Sequence, residues 1–150
     1  AGMKVIAYNR TQKEIEVPIE FFDGQKVVFK FKTQSFEDVL AQSDVISLHI
    51  PAQEKHIIGA EEIEKMKDGA MIINTARGGV VDEEALLEAL DSGKIAGAGL
   101  DVFEDEPKPS VRLLMNEKIS MSPHLAGSTE EAQERIGMEL AEQITKIYKG

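Results

Sequence analysis

Short apolar runs alternate along this chain with segments whose apolar residues return every three or four positions. The runs at 5–8, 45–50, 70–75, 97–102 and 119–122 have the length of strands and a continuous apolar face, the pattern expected of strands in a parallel sheet. Between them, 35–42 sets Phe36, Val39 and Leu40 on one face, and Ser35 with Asp38 resembles a capping box. Segment 61–67 places Ile63 and Met66 together and ends near Gly69. Asp82 suits the N-cap of a helix carrying Ala85, Leu86, Ala89 and Leu90, closed by Gly93. Ser128-Thr129-Glu130-Glu131 opens a long amphipathic helix with Ala132, Ile136, Leu140 and Ile144 at four-residue spacing. Strands separated by helices predict parallel pairing, hence an α/β fold with a doubly wound, mostly parallel sheet.

Residues 15–32 depart from that rhythm. Val17, Ile19 and Phe21, then Val27, Phe29 and Phe31, alternate with polar neighbours around Asp23-Gly24. This predicts an antiparallel β-hairpin where a crossover helix is usual. The plain reading is a surface insertion.

A length of 150 residues allows one domain with a real core. No run approaches the ~20 apolar residues of a membrane span. Residues 1–5 lack the features of a signal peptide. The absence of cysteine excludes disulfides and thiolate chemistry and fits the cytoplasm. With 27 acidic residues against 17 Lys and Arg, the net charge of −10 repels polyphosphate, which argues against nucleic-acid binding. A small anion needs a local cation or backbone N–H groups, and that draws attention to Arg77 and the helix N-termini.

In open parallel sheets, ligands bind beyond the carboxyl ends of the strands. Those ends gather Tyr8-Asn9-Arg10, His49-Ile50-Pro51, Thr75-Ala76-Arg77, Asp101-Val102-Phe103 and Pro123-His124. Arg77 precedes Gly78-Gly79, which permit close approach, and its guanidinium suits a carboxylate; the bland alternative is a surface arginine paired with one of many acids. His124 has the side chain suited to proton exchange near neutrality, and Glu106 is a carboxylate able to stabilise its imidazolium. An isolated histidine is more often structural, and 104–106 is equally readable as a solvated acidic loop. His49 and His56 are seven positions apart across Pro51, with no third metal ligand evident. No Gly-x-Ser-x-Gly elbow occurs.

Taken together, three ordered motifs are specific. Residues 74–86, Asn-Thr-Ala-Arg-Gly-Gly-Val-Val-Asp-Glu-Glu-Ala-Leu, resemble the catalytic-arginine signature of the D-isomer-specific 2-hydroxyacid dehydrogenases, which include phosphoglycerate dehydrogenase-like and glyoxylate/hydroxypyruvate reductase-like members. Gly99-Leu100-Asp101-Val102-Phe103 with Glu106-Pro107 is similar to their catalytic-glutamate stretch, and 122–127 to their catalytic-histidine segment. Residues 43–51 add a fourth likeness. The resemblance implies a Rossmann-like nucleotide-binding domain that transfers a hydride between NAD or NADP and a D-2-hydroxy acid/2-oxo acid pair. It implies Arg77 on the substrate carboxylate, His124 as proton donor or acceptor, and Glu106 orienting it. It places Asn9, Arg10, His49, Pro51, Thr75, Ala76, Asp101 and Gly127 along the cofactor, and it implies a homodimer. No metal is implied.

Two departures from the family pattern stand out. The Gly-x-Gly-x-x-Gly loop and its strand would precede a segment like residues 1–5, and Gly97-Ala98-Gly99 fails that spacing. Residues 1–150 are therefore expected to form a partial nucleotide-binding domain, incomplete at its N-terminal end and without the substrate-binding domain. The chain is then a portion of a longer enzyme, or a partner completes the sheet, or the hairpin fills the gap; the first is the expectation. An inactive binding or assembly module is the rival reading. Secondly, Asn9-Arg10 stands where an acid usually meets the adenosine ribose, which leans toward the 2′-phosphate of NADP.

Overall fold

The computed structural model describes residues 2–149. In chain order the elements are β1 (Glu14–Glu20), β2 (Lys26–Lys32), α1 (Phe36–Gln42), β3 (Val45–Leu48), α2 (Ala60–Lys65) and β4 (Ala70–Asn74). They continue with α3 (Glu83–Ser92), β5 (Ile95–Leu100), α4 (Val111–Leu114), β6 (Ile119–Met121) and α5 (Glu130–Lys149). β3, β4, β5 and β6 lie side by side in that order, every pair parallel. The expected α/β architecture is present. α4 has no clear signature in the sequence, because a single turn gives too few positions for a period.

Ile46 and Leu48 of β3, and Ala70 and Ile72 of β4, point into one core. There they meet Leu40 of α1, Ile63 of α2, Leu86, Leu87 and Leu90 of α3, and Leu113 of α4. Burying each of the larger side chains contributes roughly 1.5–3 kcal/mol. On the opposite face Val45 and Met71 are exposed, so these strands are covered more fully on one side than their apolar runs predict. α3 is bounded as expected: Asp82 accepts from the Ala85 amide at 3.0 Å, and Gly93 adopts a φ of 82° at the C-cap. Ser35 caps α1 by accepting from the Asp38 amide at 3.1 Å.

Three expectations change. Residues 5–8 do not form a buried strand: Tyr8 makes one parallel bridge with Gln34, and Val5 is exposed. A strand hidden on both faces needs layers packed on each, and among the described residues this segment is tied to the body only by that bridge, by the Gln34 amide donating to the Ala7 carbonyl at 2.8 Å, and by the Tyr8 ring against Phe36, centroids 5.1 Å apart. The hairpin forms with Val17 opposite Phe29, but as a separate two-stranded sheet, so it does not fill a gap in the larger one. Its turn also differs from a two-residue Asp-Gly loop. Phe21 and Gln25 close around Phe22-Asp23-Gly24, with the Gly24 amide donating to the Phe21 carbonyl and Gly24 at φ 83°, a three-residue loop with a glycine bulge. Finally, α5 is helical as expected, with Thr129 Oγ1 accepting from the Ala132 amide, but its Ile136, Leu140 and Ile144 remain about half exposed.

Candidate active site

Three turns at the carboxyl ends of β4, β5 and β6 build the site, and buried polar side chains shape them. Asn74, 2% exposed, ends β4. Its Oδ1 accepts from the Ala76 amide at 3.1 Å and its Nδ2 donates to the Arg77 carbonyl at 2.9 Å, which templates the turn carrying Arg77. Gly78 then presses on the next loop: a Cβ there would lie 1.8 Å from the Phe103 carbonyl oxygen. Only glycine permits that approach, so the Arg77 turn and the loop after β5 are held together. The Arg77 guanidinium is exposed and donates through Nη1 to the Ala76 carbonyl at 2.6 Å. Among the described residues no acid forms an ion pair with it.

Asp101, 3% exposed, follows β5 and organises the segment after β6. Its Oδ1 accepts from Ser122 Oγ at 2.5 Å and the Leu125 amide at 2.8 Å, and its Oδ2 accepts from the Ala126 amide at 2.8 Å. Burial pushes this carboxyl up, but the Ser122, Ala126 and Leu125 donors outweigh it and hold it below its ordinary value. Between those anchors stands His124 at φ 54°, a left-handed conformation that is uncommon outside glycine. The clamp offsets the backbone strain.

Glu106 meets His124 from the facing loop. Its Oε2 lies 2.8 Å from His124 Nδ1, while its Oε1 accepts from the Phe103 amide at 3.0 Å. The bond to His124 and then that amide hold the Glu106 carboxyl below its ordinary range. With Nδ1 engaged, Nε2 is the ring nitrogen left for a ligand. A cleft of about 560 Å³ adjoins the pair, walled by Phe103, Pro107, Leu114, Met121 and Pro123.

The structure therefore brings the Arg77 turn, Asp101, Glu106 and His124 into one set of interlocked loops. The other candidates are more dispersed. Asn9 and Arg10 are exposed beyond the loosely tied 5–8 segment. His49 is exposed at the end of β3 with Nε2 2.9 Å from Ser47 Oγ, and the Pro51 carbonyl accepts from Gln53 Nε2 at 2.9 Å. Thr75 is exposed at the tip of the Arg77 turn, and the Gly127 carbonyl accepts from Gln133 Nε2 at 2.7 Å.

Sequence reasoning missed the roles of Asn74 and Ser122, and it read the close approach at Gly78 as that of a ligand, where the neighbour is the Phe103 carbonyl. A polar residue closing an apolar strand was the available signal for Asn74. It also missed the company of His56, whose Nδ1 lies 3.4 Å from Asp82 and whose Nε2 lies 3.1 Å from Glu104. The three present ligand atoms within 4.8 Å of one another, without His49. Each ring nitrogen faces its own carboxylate, so the arrangement ties the loops that carry Asp82 and Glu104 to His56.

The sequence matches the family described as "D-isomer specific 2-hydroxyacid dehydrogenase, NAD binding domain" over residues 1–126. It is 46% identical over 150 residues to the hydroxypyruvate reductase of Thermotoga maritima, covering 97% of this chain and 45% of that protein. Among solved structures, a glyoxylate reductase from Paecilomyes thermophila is similar with a TM-score of 0.66 and 47% identity, covering 71% of this chain and 33% of that one. The D-lactate dehydrogenase from Aquifex aeolicus complexed with NAD and lactic acid gives 0.62 and 39%, covering 79% and 41%. The chain spans less than half the length of these relatives. No helix among the described residues is long and apolar enough to cross a membrane.

Proposed function

The chain belongs to the D-isomer specific 2-hydroxyacid dehydrogenase family as its NAD-binding domain, and from that premise we propose that its protein interconverts a D-2-hydroxy acid and the 2-oxo acid by hydride transfer. The observation that carries this reading is the His124–Glu106 pair at 2.8 Å, set beside an arginine turn that Gly78 locks to the same loop. Arg77, unpaired with any acid among the described residues, binds the substrate carboxylate through paired N–H groups. His124 Nε2 gives a proton to the 2-oxo oxygen in reduction and takes it back in oxidation. Glu106 holds the ring by Nδ1 and balances the imidazolium charge.

The residues present fit a nicotinamide cofactor. Asp101 Oδ2 accepts a single amide, from Ala126, which leaves it room for one more N–H donor such as a carboxamide. Thr75, Ala76, His49, Pro51 and Gly127, which follow the carboxyl ends of their strands in sequence, would contribute contacts along the cofactor, and Asn9 with Arg10 would meet the adenosine ribose. When bound, the cofactor supplies the hydride; the protein supplies placement and charge. The Arg10 cation favours NADP over NAD. We further read the protein as a cytoplasmic homodimer acting on small 2-oxo carboxylic acids.

The test follows nicotinamide absorbance with NADH and NADPH against glyoxylate, hydroxypyruvate and phosphohydroxypyruvate, using the protein that carries this domain. Turnover lost in both His124→Ala and Arg77→Ala supports the assignment. Unchanged rates in either variant would overturn that residue's role. A protein with neither turnover nor a cofactor-dependent thermal shift would instead be an inactive binding or assembly module.

A further inference from the structure

His56 stands outside the catalytic set, yet its ring bridges two segments that frame the site. Nδ1 lies 3.4 Å from Asp82 Oδ2, and Nε2 lies 3.1 Å from Glu104 Oε1. The backbone that carries the ring is fixed to the core. The Ile57 and Ile58 amides donate to the Val80 carbonyl at 2.8 and 3.1 Å, and the Asp82 amide donates to the Ile58 carbonyl at 2.9 Å. Ile58, Val80 and Val81 are buried. Glu104, by contrast, belongs to the exposed stretch of the loop after β5.

Electrostatics give that bridge its weight. The Glu104 amide donates to Glu83 Oε1 at 2.8 Å, and the Glu83 amide donates to Glu104 Oε1 at 3.3 Å. Asp82, Glu83, Glu104 and Asp105 thus gather where α3 meets the loop after β5. Among the described residues no Lys or Arg pairs with any of them. Burial, and then the Glu104 and Asp105 charges, push the Glu83 carboxyl up against the pull of the Glu104 amide and His56. Like charges so close drive the loop away from α3. His56 is the basic side chain that faces them: a neutral ring donates to one carboxylate, an imidazolium to both.

We propose that His56 is a positioning residue for the proton-transfer pair, holding Glu104 so that the adjoining Phe103 presents its amide to Glu106; the inference rests on the dehydrogenase reading above. The Phe103 amide donates to Glu106 Oε1 at 3.0 Å, and Glu106 Oε2 meets His124 Nδ1 at 2.8 Å. The path runs from the anchored 57–58 segment through the His56 ring and Glu104 to Phe103, Glu106 and His124. The Arg77 turn is held separately, by the bonds of Asn74 to Ala76 and Arg77. Half-exposed pairs such as His56–Glu104 add little to stability. Loss of the ring therefore acts on placement, slowing the chemistry while carboxylate binding holds.

The test reads the Glu106 carboxyl by carbon-detected NMR and the Phe103 amide by hydrogen exchange. It compares this chain with His56→Phe and Glu104→Ala, using circular dichroism as the folding check. In His56→Phe the Glu106 titration should move up toward its ordinary range, and Phe103 should exchange faster. Glu104→Ala separates placement from field, and it decides alone should His56→Phe not fold. Removing an acid by itself lowers a neighbouring carboxyl, whereas losing the tether raises it. A rise in Glu104→Ala supports the inference. A fall there, or an unmoved Glu106 and Phe103 in either folded variant, overturns it. In the protein that carries this domain, His56→Phe should lower kcat about 10-fold and leave KM for the 2-oxo acid within about twofold. An unchanged kcat also overturns the inference. If that protein shows no turnover at all, the dehydrogenase reading fails, and the NMR and exchange measurements still decide whether His56 places Glu106.

Discussion

Glu106 divides its carboxylate between two partners: Oε2 meets His124 Nδ1 at 2.8 Å, and Oε1 takes the Phe103 amide at 3.0 Å. The backbone bond fixes the carboxylate, so the histidine finds its partner already oriented. A carboxylate held only by the histidine would lose side-chain entropy each time the pair formed.

Replacing His124 by Ala should move the Glu106 carboxyl back up toward its ordinary range, though incompletely, since the Phe103 amide remains. A carbon-detected NMR titration of the Glu106 carboxyl checks this. The sign for stability follows from the lowered folded value. The pair's contribution is present above the unfolded carboxyl pKa of roughly 4.3 and is lost as pH falls through the lower folded pKa. Denaturant melts across that acid window should show a smaller pH-dependent loss in His124→Ala. An unchanged Glu106 titration would mean that the pair does not form in solution.

Removing the guanidinium with Arg77→Ala should raise KM for the 2-oxo acid by roughly 10–100-fold, the scale of one or two hydrogen bonds to a charged group. Arg77→Lys should recover only part of this, because a point charge lacks the two-pronged geometry. Steady-state kinetics on the protein carrying this domain reads both.

Gly78→Ala and Gly79→Ala separate close approach from backbone strain. At Gly78 the new carbon meets the Phe103 carbonyl oxygen at 1.8 Å, while Gly79, at φ 73°, has open space around it. Gly78→Ala should cost roughly 1–3 kcal/mol through forced displacement and should also depress kcat. Gly79→Ala should cost about 1–2 kcal/mol with kcat largely retained. Thermal melts paired with kinetics decide; equal kcat losses would refute the separation.

Asp101→Asn exchanges one acceptor oxygen for a donor facing an amide or the Ser122 hydroxyl. The expected result is a loss of about 1–3 kcal/mol, with faster hydrogen exchange concentrated at Leu125 and Ala126. Uniform acceleration across the core would show that the clamp is not local.

Arg10→Asp should shift cofactor preference toward NAD, read as the ratio of kcat/KM with NADH to that with NADPH. An unmoved ratio would leave Arg10 without a role in cofactor choice.

Much of this arrangement was legible in the sequence, for physical reasons. The helix over Ala85, Leu86, Ala89 and Leu90 carries its start and stop signals locally in Asp82 and Gly93, so the chain alone specifies it. Alternation around Asp23-Gly24 likewise fixed the hairpin, whereas the three-residue turn depends on closure between Phe21 and Gln25. Arg77, Glu106 and His124 were legible because local motifs surround each of them. Ser122 and His56 were not, since their roles exist only across loops 21–48 positions apart; Asn74 acts within its own turn, but residue type alone does not tell a templating amide from an exposed one. Residues 5–8 misled for a related reason: an apolar run signals burial but does not reveal whether a neighbouring strand is there to provide it.

α5 has a consequence for how the molecule melts. Twenty residues of helix make few contacts with the rest of the described chain, and an isolated helix of that length is marginal in water. Its helix–coil equilibrium is therefore uncoupled from the cooperative transition of the α/β body, and heating the chain should not give two-state curves. Far-ultraviolet ellipticity should decline gradually, ahead of the single step reported by core side chains. Any surface that closes over Ile136, Leu140 and Ile144 would merge the two transitions, so the shape of the melting curve reports whether that face is covered.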